Sequence, residues 1–474
     1  VRPEEDRVDI DRILSLPLET GSQEKAAGQS LPSVGRGDLM TYDAAQNNPG
    51  RFADLVRRKL NRSLVASLEA CVHCGLCADS CHYALARPDD PRMVPAYKAD
   101  QVRRMYKRIV GWTGRLVPGL VHAKRPASDE DLNRLKNVVF GTCSACRRCT
   151  MNCPMGVENA AIVRFARGIL ADLGIVPEGV FNVSRDQWES GNQMGVSEQD
   201  YLETIDWVKE ELQAETGDPS IDLPVDVEGC DFMYTINPRE VKFDPRSLAN
   251  AAKIFKLAGE SWTLPRWGWD QTNFGLFSGD DRLGGFVARN TYEAAERLKA
   301  KRIVISECGH GYRSTRWEGY NWAGYDQKLP TESVVVTIQR YIREGRITVD
   351  PSRNPDPVTF HDSCNIARSG DLIAQPRWVL RRVCSDFREM HPNGRENYCC
   401  TGGSGLLSMT EYRPLRLEVA RIKAEQLKAT GAKVLCTMCH NCIDGLNDVV
   451  KHYRLDMKVV QVMDLVAGAL VAPE

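Results

Sequence analysis

Two cysteine runs with one spacing stand out in this chain of 474 residues. Cys71, Cys74, Cys77 and Cys81 form the first, and Cys143, Cys146, Cys149 and Cys153 the second. Each reads C-x2-C-x2-C-x3-C, a spacing in which three thiolates wrap one corner of an iron–sulfur cubane while the fourth reaches the neighbouring cluster. A crossed pairing is therefore expected. Cys71, Cys74, Cys77 and Cys153 should hold one [4Fe-4S] cluster, and Cys143, Cys146, Cys149 and Cys81 the other. Zinc is the competing reading of CxxC pairs, but it favours two pairs of thiolates over runs of four. Disulfides compete too, and the number of thiols in a chain without an export pattern argues for a reducing compartment. The second motif ends in Cys153-Pro154, whereas His82 follows Cys81 where proline is usual.

A second architecture lies towards the C-terminus: Cys364, then 34 residues, the adjacent pair Cys399-Cys400, then 35 residues, and Cys436-Thr-Met-Cys439. Vicinal cysteines cannot both reach one metal atom with relaxed geometry, so the pair suits a polynuclear, distorted cluster. A vicinal disulfide and a zinc site are the alternatives. These residues resemble the CCG-domain family, named for a Cys-Cys-Gly core, which includes the catalytic D-type subunits of heterodisulfide reductases. The resemblance implies one non-cubane [4Fe-4S] cluster on Cys364, Cys399, Cys400, Cys436 and Cys439, performing disulfide chemistry. Thr401 departs from the motif glycine, although Gly402, Gly403 and Gly405 follow. Cys384 reads as a small buried hydrophobe and Cys442 as a spare thiol nearby.

The elements that must position these residues look duplicated. Trp269 to Ser278 aligns with Cys399 to Ser408, and Cys230 and Cys308 take the places of Cys364 and Cys436. Trp269, Asp270 and Gly311 stand where Cys399, Cys400 and Cys439 do, so the first copy keeps two of five ligands and one non-cubane cluster is expected. Each copy reads as strand, helices, then a strand ending at a cysteine: Phe232–Ile236 and Ile303–Cys308, then Val358–Phe360 and Val434–Cys436. Sites in open α/β sheets lie beyond the strands' carboxyl ends. Cys308, Cys230, Asp270 and His310 are therefore expected to face the cluster, with Cys399, Cys400, Cys308 and His310 as catalytic candidates. His361 and His440 are candidate hydrogen-bond donors to cluster sulfur. The degenerate first copy looks like the K subunit of the dissimilatory sulfite-reduction membrane complex and its counterparts in sulfate-reducer cytochrome complexes.

The expected fold is α+β and multidomain. A polar, extended tail over residues 1–50 leads into a mainly helical, two-cluster ferredoxin-like domain over 51–200. A duplicated α/β CCG-type domain follows, with the degenerate repeat over 201–350 and the intact one over 351–474. Residues 96–125 carry eight Lys or Arg and one acid, Asp100, with Val102, Met105, Tyr106, Ile109 and Val110 at helical spacing. This basic amphipathic insertion predicts either docking at a membrane subunit or an internal helix with a solvated basic face.

Net charge is −1, which gives no reason to expect nucleic acid, and no apolar run reaches membrane-spanning length. The first residues lack a signal-peptide pattern, so export is not expected. No Rossmann or P-loop fingerprint survives, so NAD and FAD are not expected on this chain. With these readings, the resemblance implies a peripheral subunit on the cytoplasmic side of the inner membrane, in an anaerobic respiratory complex. Its expected partners are a cytochrome b or quinone-interacting membrane subunit, other electron-transfer subunits and a sulfur-carrier protein as substrate. Electrons would pass through two cubanes to the non-cubane cluster, which would reduce or form a disulfide or trisulfide. The rival readings are an electron-wiring subunit of a multihaem cytochrome complex without its own substrate, and an iron–sulfur subunit of a glycolate or lactate dehydrogenase.

Overall fold

In a computed structural model, residues 49–326 and 328–471 are described; the tail expected over 1–50 lies almost wholly outside them. The chain divides into two compact units. The first comprises the described residues up to 185 together with two short later segments, 277–280 and 404–419. The second comprises 186–276, 281–403 and 420–471, so both repeats share one unit.

The first unit is helical. Its core gathers Phe52, Val56, Leu64 and Leu68 with Val102, Met105, Ile109, Phe140, Ile162 and Ile169. The helix Pro95–Ile109 starts on a proline, whose missing N–H costs nothing in a first turn. It buries Val102, Met105 and Ile109 at intervals of three and four residues. Lys98 and Arg103 are buried as well, so the basic face is not wholly solvated. Lys98 Nζ donates to Met93 O at 3.0 Å and to Thr142 O, and Arg103 Nε donates to Leu68 O at 2.6 Å. The insertion between the two cysteine motifs thus clamps the backbone beside both of them.

The second unit contains two four-stranded parallel sheets with one topology. Strands β1 (Phe232–Thr235), β2 (Trp262–Thr263), β3 (Ile303–Ile305) and β4 (Thr331–Ser333) lie in the order β2-β1-β3-β4. After β5 (Thr348–Val349), strands β6 (Val358–His361), β7 (Phe387–Arg388), β8 (Val434–Thr437) and β9 (Lys458–Gln461) repeat that order as β7-β6-β8-β9. The central strands are buried along their whole length, as apolar strands covered on both faces must be. Helices Val334–Arg343 and Val462–Ala469 follow the fourth strand of each copy, and β5 pairs antiparallel with β10 (Leu470–Val471) just beyond them. The two copies are thus joined reciprocally through matching elements, with one core of Phe232, Tyr234, Ile303, Ile305, Val358, Phe360, Val434 and Val462.

Candidate functional site

The two ferredoxin-type motifs surround two separate cavities. Cys71, Cys74, Cys77 and Cys153 line one, and Cys81, Cys143, Cys146 and Cys149 line the other. Each cavity therefore collects three thiols from one motif and the last thiol of the other, the crossed arrangement expected from spacing. The two loops share a backbone device. His73 and Gly75 lie in the left-handed region at φ 55° and 82°, and Ala145 and Arg147, at the matching positions, at 48° and 66°. Such residues curl a loop so that its N–H groups point inward. Accordingly Ala145 N lies 3.4 Å from Cys143 Sγ; in the other cavity Val157 N, after left-handed Gly156 at φ 66°, lies 3.4 Å from Cys153 Sγ. Four thiols around a concave, N–H-lined cavity fit a [4Fe-4S] cubane.

Positive charge surrounds the second cavity. Arg167 is buried, donating from Nε to Val139 O at 2.8 Å and from Nη2 to Cys143 O at 2.8 Å. Its Nη1 donates to Phe277 O at 3.0 Å and to Ser404 Oγ at 2.6 Å, tying both later segments to this cavity. Burial draws its guanidinium down to about 10. Burial also pushes the Cys81 and Cys149 thiols up, with Lys98 opposing it; iron binding must displace those protons. His82 lines the same cavity and is buried, its Nε2 without a hydrogen-bond partner.

The third group of thiols lies in the second unit. Cys399, Cys400, Cys439 and Cys442 are all buried. Hydrogen bonds from Cys399 and Cys442 hold Cys400 well below the usual thiol range, and one from Cys442, then His310, holds Cys439 low. Cys442, hydrogen-bonded with Cys400 and Cys439, is pushed well above it by those bonds and by burial. A ring nitrogen of His361 and the sulfurs of Cys400 and Cys442 lie within 4.8 Å of one another. Cys364 opens the helix Cys364–Ala367, one residue after Ser363, whose Oγ is 3.5 Å from Cys442 Sγ. The loop after the pair comes close enough to the helix His440–His452 that a Cβ on Gly402 would fall 2.4 Å from Asn441 O. Only glycine fits there. Thr401 itself adopts φ 64°, the left-handed conformation that the motif glycine provides freely, and donates N–H to Cys399 Sγ at 3.2 Å.

Several expected residues sit elsewhere. Cys436 lies within β8 and, with Val434 two residues before it, faces the apolar core that also holds Cys384. Strand alternation explains this: residues two apart share a face. Cys308 and Cys439 are each the N-cap residue of the helix after the second central strand. This matches Cys308 to Cys439 and Gly311 to Cys442, a register three residues from the one the sequence comparison chose. Cys230 precedes β1, at the strand end remote from the thiol group, and its Sγ donates to Val227 O at 3.4 Å. It does not face the site. Cys308, His310 and Asp270 do come to it: His310 Nδ1 is 3.8 Å from Cys439 Sγ, and Cys439 and Asp270 both raise the buried Cys308 thiol beyond what burial alone does. Burial pushes Asp270 up to about 7 although it accepts from Thr272 N at 2.7 Å, Gln193 N at 2.8 Å and Gln187 Nε2 at 3.1 Å.

His440, beside Cys439, makes an ion pair that sequence reasoning missed. Its Nε2 is 3.0 Å from Glu240 Oε1, and both side chains are 1% exposed. Burial opposes both charges, yet the pairing prevails: His440 is raised and Glu240 lowered. The capping box of the helix Pro238–Lys242, with Asn237 before the helix and Glu240 at its third position, is the local signal that could have flagged Glu240. Cys442 was visible as the end of a second overlapping CxxC, Cys439-His-Asn-Cys442.

Two families match parts of the chain: the 4Fe-4S dicluster domain over residues 67–157 and the cysteine-rich CCG domain over 358–446. The chain is 26% identical over 457 residues to the Hdr-like menaquinol oxidoreductase iron-sulfur subunit of Archaeoglobus profundus, covering 87% of this chain and 81% of that protein. It is 26% identical over 418 residues to the D-type subunit of the dihydromethanophenazine:CoB--CoM heterodisulfide reductase of Methanosarcina mazei, covering 87% and 96%. A probable membrane-anchored ferredoxin of Chromohalobacter salexigens is 24% identical over 425 residues, covering 85% and 60%.

Proposed function

From a chain that is a CCG-domain iron–sulfur oxidoreductase, similar to the D-type subunits of heterodisulfide reductases, we propose a subunit that carries electrons through two cubanes to a non-cubane cluster acting on a sulfur–sulfur bond. The observation that carries this reading is the convergence of Cys399, Cys400, Cys439 and Cys442 with His361 in one buried group. Four thiols with that imidazole, two of the thiols vicinal, fit a polynuclear cluster better than a lone ion. We assign Cys364, Cys399, Cys400, Cys439 and Cys442 as its ligands, Cys442 replacing Cys436, and the eight motif cysteines to the cubanes. The clusters supply one-electron steps.

The chain's own residues supply the rest. Reduction of a disulfide consumes two electrons and two protons and yields two thiols, so the site needs proton donors in a dry place. His310 is buried beside Cys439, and its Nε2 faces Gly403, where a Cβ would lie 3.8 Å away; the bare glycine leaves that edge of the ring uncrowded. Cys308, capping the same short helix, is a neutral thiol held protonated by burial. His310 can hand a proton to a departing thiolate, and the Cys308 S–H can donate a hydrogen bond to it. A heterodisulfide or a sulfur-loaded carrier protein meets these requirements.

Attachment to a quinone-interacting membrane subunit, at the cytoplasmic side, completes the proposal. No helix among the described residues is long and apolar enough to cross a membrane. Trp112, Leu116 and Leu120 are 74%, 73% and 81% exposed, beside exposed Arg104, Arg115, Lys124 and Arg125. An apolar tip within a basic surface suits a membrane boundary.

The test is anaerobic turnover of the purified protein with a reduced donor and a disulfide or persulfide. Disulfide consumption is expected, and Cys400→Ser should lower it by on the order of 1,000-fold or more while both cubane EPR signals persist. If the wild type consumes no sulfur–sulfur bond, the enzymatic reading falls and electron wiring stands.

A further inference from the structure

Lys423, on the helix Arg421–Lys428, is 1% exposed and makes no ion pair with any described carboxylate. Its ammonium donates to Asn397 Oδ1 at 2.8 Å, to Gln426 Oε1, and lies 3.6 Å from Met390 Sδ. All three are neutral. A buried cation without an anion keeps its desolvation cost unrepaid unless negative charge lies nearby. Burial draws the ammonium down to about 7, and the charges that oppose this are those of Cys400 and Cys399, in that order, and then Asp362.

The contacts of Lys423 also dictate chemistry one step further on. An ammonium only donates, so the atom of Asn397 that it meets must be the oxygen, and the amide nitrogen must point the other way. That nitrogen lies 3.2 Å from His361 Nδ1 and 3.3 Å from Asp362 O. An amide nitrogen carries only hydrogens. His361 Nδ1 must therefore be a bare acceptor, which leaves the ring neutral with its proton on Nε2. A nitrogen that keeps its hydrogen cannot ligate iron; it can donate to sulfur.

We infer that Lys423 is the resident counter-charge of the Cys399–Cys400 pair and, through Asn397, the positioning residue that makes His361 a hydrogen-bond donor to sulfur at that site. The inference rests on the reading that these cysteines hold a cluster. A positive charge and an N–H directed at sulfur both stabilise the reduced state, so both should raise the reduction potential.

The experiment is an EPR-monitored redox titration of the full chain with its clusters, paired with ENDOR after exchange into D2O. In Lys423→Met the midpoint of the third signal should fall, raising its oxidised-to-reduced ratio at fixed potential by about tenfold or more, while both cubane midpoints stay put. The exchangeable-proton coupling should vanish in His361→Asn and weaken in Lys423→Met. Asn397→Leu, which keeps the ammonium, should lose the coupling with a smaller midpoint shift, and it serves if Lys423→Met does not assemble. An unmoved midpoint together with an unchanged coupling would overturn the inference and leave the cluster reading intact. A wild type with two cubane signals and no third would remove both.

Discussion

At positions 269–271 of the first repeat, Trp269 stacks on Tyr201 with ring centroids 4.6 Å apart, and Asp270 accepts three hydrogen bonds. Gln271 is satisfied at both ends, accepting from Thr235 Oγ1 at 2.9 Å and donating to Ser306 Oγ at 2.6 Å. At the matching positions 399–401 of the second repeat stand two thiols and a threonine in a left-handed conformation whose buried hydroxyl has no hydrogen-bond partner. One backbone plan thus carries two kinds of interior. At these three positions, where the thiols are gone, stacked and paired groups fill the loop; where they remain, a left-handed threonine with an unpartnered hydroxyl remains too. Strain that a neighbouring copy has relieved is a mark of a site still in use.

The sharpest way to break this comparison is to exchange the two candidates for the fifth thiol. Cys442→Ala should remove the third cluster, so that iron falls from about twelve atoms per chain to about eight. Cys436→Ala should leave about twelve and cost only packing in the core of β8, about 1 kcal/mol. Iron analysis with EPR distinguishes them, and the opposite pattern would restore Cys436 to the site and return the repeat register to Cys308 opposite Cys436.

The next effect tests how the copies hold one another. Glu240 belongs to the first and His440 to the second, and removing one partner of a buried pair strands the other charge. Glu240→Gln should therefore cost about 3–5 kcal/mol in denaturant unfolding. Its pH dependence has a definite sign. Glu240 is lowered from 4.5, so its contribution is present above that value and is lost as pH falls through the lowered one. His440 is raised from 6.5, so its contribution is complete below that value and is lost as pH rises through the raised one. The gap between wild type and Glu240→Gln should be widest between about pH 4.5 and 6.5 and narrow on either side.

Much of the site was legible because its signals are local. Three-residue cysteine spacing, the vicinal pair and the short apolar strands at Phe232, Ile303, Val358 and Val434 each report on a single loop or strand. What was not legible depends on where an element ends or on what meets it from afar. In Cys436-Thr-Met-Cys439-His-Asn-Cys442 there are two overlapping CxxC pairs, and only the end of β8 at Thr437 decides which of them leaves the sheet. Cys230 matched by distance along the chain yet lies before its strand rather than after it. Lys98 and Arg103 read as surface charge, yet the carbonyl groups of Thr142 and Leu68, far along the chain, receive them. Glu240 and His440 are 200 residues apart, and no pattern in either neighbourhood names the other.

The smallest effect bears most directly on the strain. A β-branched residue at φ 64° costs about 1–2 kcal/mol relative to glycine, which adopts that conformation without penalty. Thr401 adds a buried hydroxyl without a partner, worth about 1–3 kcal/mol, against which stand its methyl contacts and the extra unfolded-state freedom of glycine, about 1 kcal/mol. The balance predicts that Thr401→Gly stabilises the protein, by about 1 kcal/mol, measurable as a higher denaturation midpoint at unchanged slope. The matching change in the relaxed copy, Gln271→Gly, should instead destabilise it by about 2 kcal/mol or more, since Thr235 and Ser306 would each lose a buried partner. If both glycines destabilised alike, Thr401 would be an ordinary packed residue and the contrast between the copies would reduce to their thiols. If only Thr401→Gly stabilised, and turnover fell with it, the threonine would be holding a strained loop against its own stability for the sake of the chemistry beside it.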